Sequence, residues 1–136
     1  MYSFFNGDES TAHIDESGKA FFDSSFGDKK IGCPFTLDLR KHIIRNRLEF
    51  FLKKYKNEGF PVDFIFTDWE VDGPLEVNRA YDASKKCLVC RKFLGQNFTF
   101  DEFQKRIREM RSYLENYCLS DPVLTQFPQA LVCTSA

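Results

Sequence analysis

Apolar residues recur along this chain at two periods. From Thr36 onward Leu37, Ile44, Leu48, Phe51, Leu52 and Tyr55 return at helical spacing. Arg40, Lys41, Arg45, Arg47, Lys53 and Lys54 fall mostly on other faces, which predicts an amphipathic helix closed by Gly59 and Pro61. The run Val62 to Thr67 then reads as a strand. After the VDGP turn a second helical pattern extends from about Leu75 to Leu94. A third helix is predicted from Thr99, where Thr99 and Glu102 have capping-box spacing, and it carries Phe103, Ile107, Met110, Leu114 and Tyr117 inward. Asp121-Pro122 is expected to break it, and QALVCTSA, preceded by Pro128, reads as a last short strand. Residues 1–33 form an irregular, acidic entry segment in which HIDESGKAFFDSSFG alternates as a hairpin turning at Ser17-Gly18.

Helices placed between buried strands imply parallel pairing through right-handed crossovers, hence an α/β fold. The chain has 136 residues, which suits one domain. A parallel barrel takes about 250 residues. The expectation is therefore a single α/β domain that forms a partial (β/α) barrel-like segment, a fragment of a larger barrel, with a small open α/β sheet as the alternative. An uncovered sheet edge would make such a fragment self-associate.

Composition narrows the partners. The net charge of -1 and pI of about 6.1 supply no overall field for nucleic acid or anionic membrane, so neither is expected and partners must be recognised locally. No run approaches the roughly 20 apolar residues of a membrane span, and the first residues lack the basic and apolar regions of a secretory signal. Five cysteines without framework spacing fit reduced thiols and slightly favour the cytoplasm.

The strand FIFT runs into Asp68-Trp69-Glu70, and side chains two apart share a face, so Asp68 and Glu70 are expected to project together beyond the core. Paired carboxyls on rigid backbone suit glycoside hydrolysis, which needs a proton donor and a group that stabilises or attacks the oxocarbenium ion. Their Cβ atoms would lie roughly 6 to 7 Å apart, compatible with either stereochemical outcome. The competing interpretation makes Asp68 and Asp72 turn and cap residues. At the same rim Asp72, Asn78 and Arg79 could reach a ligand, with solvated helix surface as the simpler role for Asn78 and Arg79.

VDFIFTDWE resembles the fourth-strand signature D-x-x-D-x-D-x-E of chitinase-type glycoside hydrolases of family eighteen. Asp63, Asp68 and Glu70 match it, whereas Phe66 replaces the middle aspartate and Phe64 the usual glycine. The resemblance implies Glu70 as proton donor, Asp68 as its partner, Trp69 as a platform for a sugar ring, and a carbohydrate ligand handled without metal or cofactor. The alternative is a non-catalytic α/β domain that binds sugar or protein through an exposed edge and aromatics.

Cys87-Leu-Val-Cys90 has the spacing of half a zinc site or a redox pair. With His13 and His42 distant in sequence and no second C-x-x-C, the favoured expectation is two small core residues on one helix face and no metal. Cys33, Cys118 and Cys133 follow no pattern. His13 and Asp15 alternate on one side of the hairpin and could join the D-W-E mouth as hydroxyl-binding groups, ordinary hairpin polarity being the simpler role. The basic run RKHIIRNR follows the buried stripe and reads as a solvated helix face. Asn97-Phe98-Thr99 has the N-glycosylation pattern, but Thr99 already serves as a cap.

Overall fold

The computed structural model describes residues 9–23, 30–36, 38–67 and 78–134. They form a mixed α/β structure with two two-stranded sheets, one antiparallel and one parallel, and no closed barrel among the described residues. The chain packs as two compact units, each discontinuous in sequence. The first comprises Met1–Asp38 with Asp72–Met110, and the second Leu39–Val71 with Arg111–Ala136.

In the first unit a short 3-10 turn, Glu9–Thr11, leads into the hairpin β1 (His13–Ile14) and β2 (Ala20–Phe21), paired as His13 with Phe21 and Ile14 with Ala20. The hairpin lies where the alternation predicts it. Asp15 makes its turn: Oδ1 accepts the Ser17 and Lys19 N–H groups, each at 2.9 Å, and the Ser17 hydroxyl at 2.6 Å. These donors hold the Asp15 carboxyl below its usual range, the Ser17 side chain first. Gly18, at φ +79°, supplies the left-handed residue. A second 3-10 turn, Pro34–Thr36, follows Cys33.

The helical pattern from Leu75 to Leu94 is interrupted in the structure. Helix α2 (Asn78–Lys86) and helix α3 (Leu88–Leu94) are separated by Cys87, whose extended backbone (φ −90°, ψ 124°) makes it the N-cap of α3. Gly95, at φ +95°, ends α3. Helix α4 (Phe100–Glu115) begins with the anticipated capping box. Thr99 N–H donates to Glu102 Oε2 at 2.7 Å, and Glu102 N–H donates back to Thr99 Oγ1 at 3.3 Å. Behind it Ala80, Phe98, Phe103 and Ile107 form a buried cluster extended by Tyr81 and Phe100, with the Tyr81 hydroxyl donating to the Phe98 carbonyl.

The second unit is built on helix α1 (Asp38–Asn57), strands β3 (Phe64–Thr67) and β4 (Leu131–Thr134), and the C-terminal helical segment. β3 and β4 pair in parallel, Phe64 with Leu131 through Thr67 with Thr134. Ile65 and Val132 turn inward onto Leu52, Val123, Phe127 and Ala130. The sequence expectation of a strand buried on both faces is corrected: Phe64 is 66% exposed and Phe66 58%, and Leu131 and Cys133 beside them are exposed too. Among the described residues two strands form this sheet, with helices packed on one face and Phe64, Phe66 and Leu131 exposed on the other.

The expected break at Asp121-Pro122 is also corrected. Beyond α4 the helix widens over Asn116–Ser120, where Asp121 N–H reaches Asn116 O, and continues as α5 (Asp121–Gln126) with Pro122 in its first turn. Pro122 has no N–H to give, so the wider turn absorbs the missing bond. Arg45 takes up the Tyr117 carbonyl at 2.8 Å. Cys118, buried here, has its thiol pushed up to about 11 by desolvation.

Candidate metal centre

Three separated segments of the first unit bring His13, Cys33, Cys87 and Cys90 together. Their ligand atoms all lie within 4.8 Å of one another. His13 sits on β1, with its ring stacked on Phe21 at 5.0 Å between centroids. Cys33 is fastened beside that strand by its N–H, which donates to the Thr11 carbonyl at 2.7 Å, while the Thr36 hydroxyl bridges Thr11 O and Cys33 O. Gly32 is required at this crossing, because a Cβ there would lie 2.6 Å from the Thr11 oxygen. Cys87 and Cys90 come from the start of α3: the Cys87 carbonyl accepts the Arg91 N–H, and Cys90 lies in the first turn. The break at Cys87 therefore places both sulfurs at one helix end.

The separations fit coordination. Cys33 Sγ lies 3.5 Å from Cys90 Sγ and 3.8 Å from Cys87 Sγ, and Cys90 Sγ lies 3.9 Å from His13 Nδ1. Tetrahedral zinc, with Zn–S of about 2.3 Å and Zn–N of about 2.0 Å, puts neighbouring ligand atoms roughly 3.5 to 3.8 Å apart. A disulfide needs about 2.05 Å, and all three cysteines are free thiols. His13 is 1% exposed and the cysteines are fully buried, with Phe21, Phe35, Val89 and Leu94 packed around the sulfurs.

Electrostatics of the bare thiols point the same way. Hydrogen bonds from Cys33, then Cys90, hold the Cys87 thiol well below its ordinary range, and the Cys90 backbone N–H adds to them. The partners respond oppositely: Cys33 is pushed up to about 12, chiefly by Cys87, and Cys90 is driven upward, chiefly by Cys33. One thiolate is accommodated by its neighbours as donors, and further negative charges in this dry pocket call for a cation.

This arrangement removes the premise on which a metal-free C-L-V-C pair was expected. His13 and Cys33, distant in sequence, supply the two missing ligands. The expected single helix face for the pair is corrected: Cys87 is the N-cap that separates α2 from α3 and Cys90 lies in the first turn of α3, although both are buried as expected. His13 is buried beside the thiols, and Asp15 accepts N–H groups of its own turn. Asp68, Trp69, Glu70 and Asp72 lie outside the described residues. Asn78 and Arg79 open α2, and their side chains lie outside the description. Among the remaining cysteines, Cys118 is buried in the second unit and Cys133 is exposed on β4. No family model matches the chain, and neither the curated proteins nor the solved structures contain a match to it.

Proposed function

We propose that the chain is a zinc-organised, non-catalytic domain in which His13, Cys33, Cys87 and Cys90 hold one structural Zn²⁺. The observation that carries this reading is the convergence of four buried ligand atoms within 4.8 Å of one another, with Cys33–Cys90, Cys33–Cys87 and Cys90–His13 at 3.5, 3.8 and 3.9 Å. Three thiolates and one imidazole form a familiar zinc donor set, and soft sulfur ligands disfavour magnesium and calcium. Four protein ligands close the shell, so no position is left for a substrate or an activated water, which argues for a structural ion over a catalytic one. The ion would join β1, the segment around Cys33 and the start of α3, and the bare outer face of β3 and β4 offers Phe64, Phe66 and Leu131 for a protein partner or for self-association.

Purification without added metal, followed by elemental analysis, tests the proposal. About one zinc per chain is expected, lost in Cys87→Ser/Cys90→Ser. A folded chain that retains no zinc and shows no affinity for it would overturn the assignment.

A second reading, a carbohydrate-active segment of a partial barrel, draws its support from one observation: the parallel strand β3 ends at Thr67, and Asp68-Trp69-Glu70 follows directly in sequence. α/β folds keep ligands beyond the carboxyl ends of parallel strands. In that reading Glu70 donates the proton and Asp68 assists. Release of reducing sugar from oligosaccharides, abolished by Glu70→Gln, is its test.

A further inference from the structure

Two buried side-chain polar atoms among the described residues find no hydrogen-bond partner, Ser84 Oγ and Arg91 Nε. Both flank the cysteine pair, Ser84 three residues before Cys87 and Arg91 one residue after Cys90. Buried polar groups in folded proteins are almost always satisfied, so an orphan beside a cluster of metal ligands points to something that completes it. Ser84 is neutral. Arg91 is charged, its side chain only 15% exposed, and Nη1 pairs with Glu16 at 2.8 Å, a residue whose own side chain is 77% exposed. Every other lysine or arginine side chain described in this unit is exposed.

Charge accounting gives the buried guanidinium a role. Zn²⁺ with three thiolates and a neutral imidazole carries a net charge of about −1. A buried net charge is costly unless an opposite charge lies close by. The Glu16 carboxylate, standing in solvent, is strongly screened and satisfies only the outer edge of the guanidinium. We infer that Arg91 is the counter-charge of the zinc centre, its largely enclosed guanidinium, carried on the same helix start as Cys90, offsetting the residual negative charge. This rests on the zinc reading and adds to it a residue that binds no metal itself. A nearby positive charge favours the thiolate over the protonated form, so Arg91 sets how tightly the ion is held.

The test compares Arg91→Met, Arg91→Lys and Glu16→Gln in the full chain. Zinc affinity is measured by competition with a chromophoric chelator, and the sulfur environment by the charge-transfer band of the Co²⁺-substituted protein. Arg91→Met is expected to weaken zinc binding by roughly 10- to 100-fold, as outer-shell losses do, and to move the charge-transfer band to lower energy because the sulfurs become more electron-rich. Arg91→Lys should recover much of the affinity. Glu16→Gln separates counter-charge from mechanical clasp: freed from its surface partner, Arg91 should hold zinc as tightly as before or more tightly. Zinc binding by Arg91→Met within about 2-fold of the parent overturns the inference while leaving the zinc site intact. So does a Glu16→Gln chain as weak as Arg91→Met. Should Arg91→Met fail to fold, the other two variants decide: weakened zinc binding in Glu16→Gln overturns the role, and undiminished binding there with near-parental binding in Arg91→Lys supports it. A parent chain that binds no zinc at all is the distinct failure of the underlying reading.

Discussion

The two units of this molecule achieve cohesion by different means. In the second, α1 lies against β3, β4 and α5, and the interior is a continuous apolar contact of Leu52, Val123, Phe127 and Ala130 with Leu48, Val62, Ile65 and Val132. In the first, the regular elements around the cysteines are short, two residues per strand in the hairpin and seven in α3, and much of what they bury is sulfur and imidazole. Elements this short make few apolar contacts each, and the proposed zinc would supplement the burial they lack. The second unit depends on area alone, whereas the first combines the apolar cluster behind α4 with four points, the converging ligand atoms.

The largest expected effect follows from removing those points. Structural zinc contributes roughly 10 to 16 kcal/mol of binding free energy in small metal-dependent folds, and a preformed site rarely exists in the unfolded chain. Cys87→Ser/Cys90→Ser, or a strong chelator, should therefore abolish amide-exchange protection over 11–14, 33–36 and 88–94. Protection of β3 and β4 should persist. Equal loss in both units would show that they do not differ as described.

Area can be attacked separately. Phe127, 6% exposed, belongs to the core of the second unit, and truncation of a buried Phe to Ala costs about 3 to 5 kcal/mol. Phe127→Ala should lower the denaturation midpoint of α1 and β4 without changing zinc stoichiometry. Loss of zinc from this variant would tie the two interiors together.

The local elements were legible in the sequence, whereas the division into two discontinuous units was not, a single domain being the expectation, and the difference has physical causes. Helical periodicity placed α1, alternation placed the hairpin, and the Thr99–Glu102 spacing placed the start of α4, because each signal is local. The metal cluster is not local. Its ligands are separated by 57 residues between Cys33 and Cys90 and by 77 between His13 and Cys90, and sequence spacing says nothing about which loops meet. A signal was available in C-L-V-C, whose cysteines suit a turn at a helix start as well as a helix face, and the continuous apolar pattern through Cys87 concealed the break. The carboxylates after β3 were legible as chemistry, but they lie outside the described residues. The bare face of β3 could not be foreseen either, since FIFT reads the same whether one face or both are covered.

A smaller perturbation probes how closely the first unit is fitted around its ligands. Gly32 carries no unusual backbone requirement, so Gly32→Ala acts through the close approach to Thr11 alone. Forcing a methyl into that crossing should cost about 1 to 3 kcal/mol and weaken zinc binding by displacing Cys33. An equivalent methylene-scale change in the second unit, Ile65→Val, should cost about 0.5 to 1.5 kcal/mol and leave metal affinity unchanged. Chelator competition on both variants makes the comparison.

The smallest effect concerns the start of α4, where the first unit relies on neither metal nor core. Glu102 is exposed, and its carboxyl is held below the ordinary value of 4.5, first by the Thr99 backbone N–H and then by the Thr99 hydroxyl. A depressed folded-state value means that the carboxylate stabilises the folded chain at pH values above its unfolded value. That contribution declines as acidification protonates the group, and it is gone once pH has fallen through the folded value. Glu102→Gln keeps a hydrogen-bond acceptor but cannot titrate, so relative to the parent its stability should vary less below about pH 4.5. Acid also displaces zinc, yet that loss is common to both chains and cancels in their difference. Thr99→Ala removes both donor and acceptor of the capping hydroxyl, and about 0.5 to 2 kcal/mol should be lost even near neutral pH. Denaturant midpoints for the three chains across the acid range provide the measurement. If Glu102→Gln and the parent kept a constant difference throughout that range, the carboxylate would be contributing through shape alone, and the capping box would be electrostatically silent.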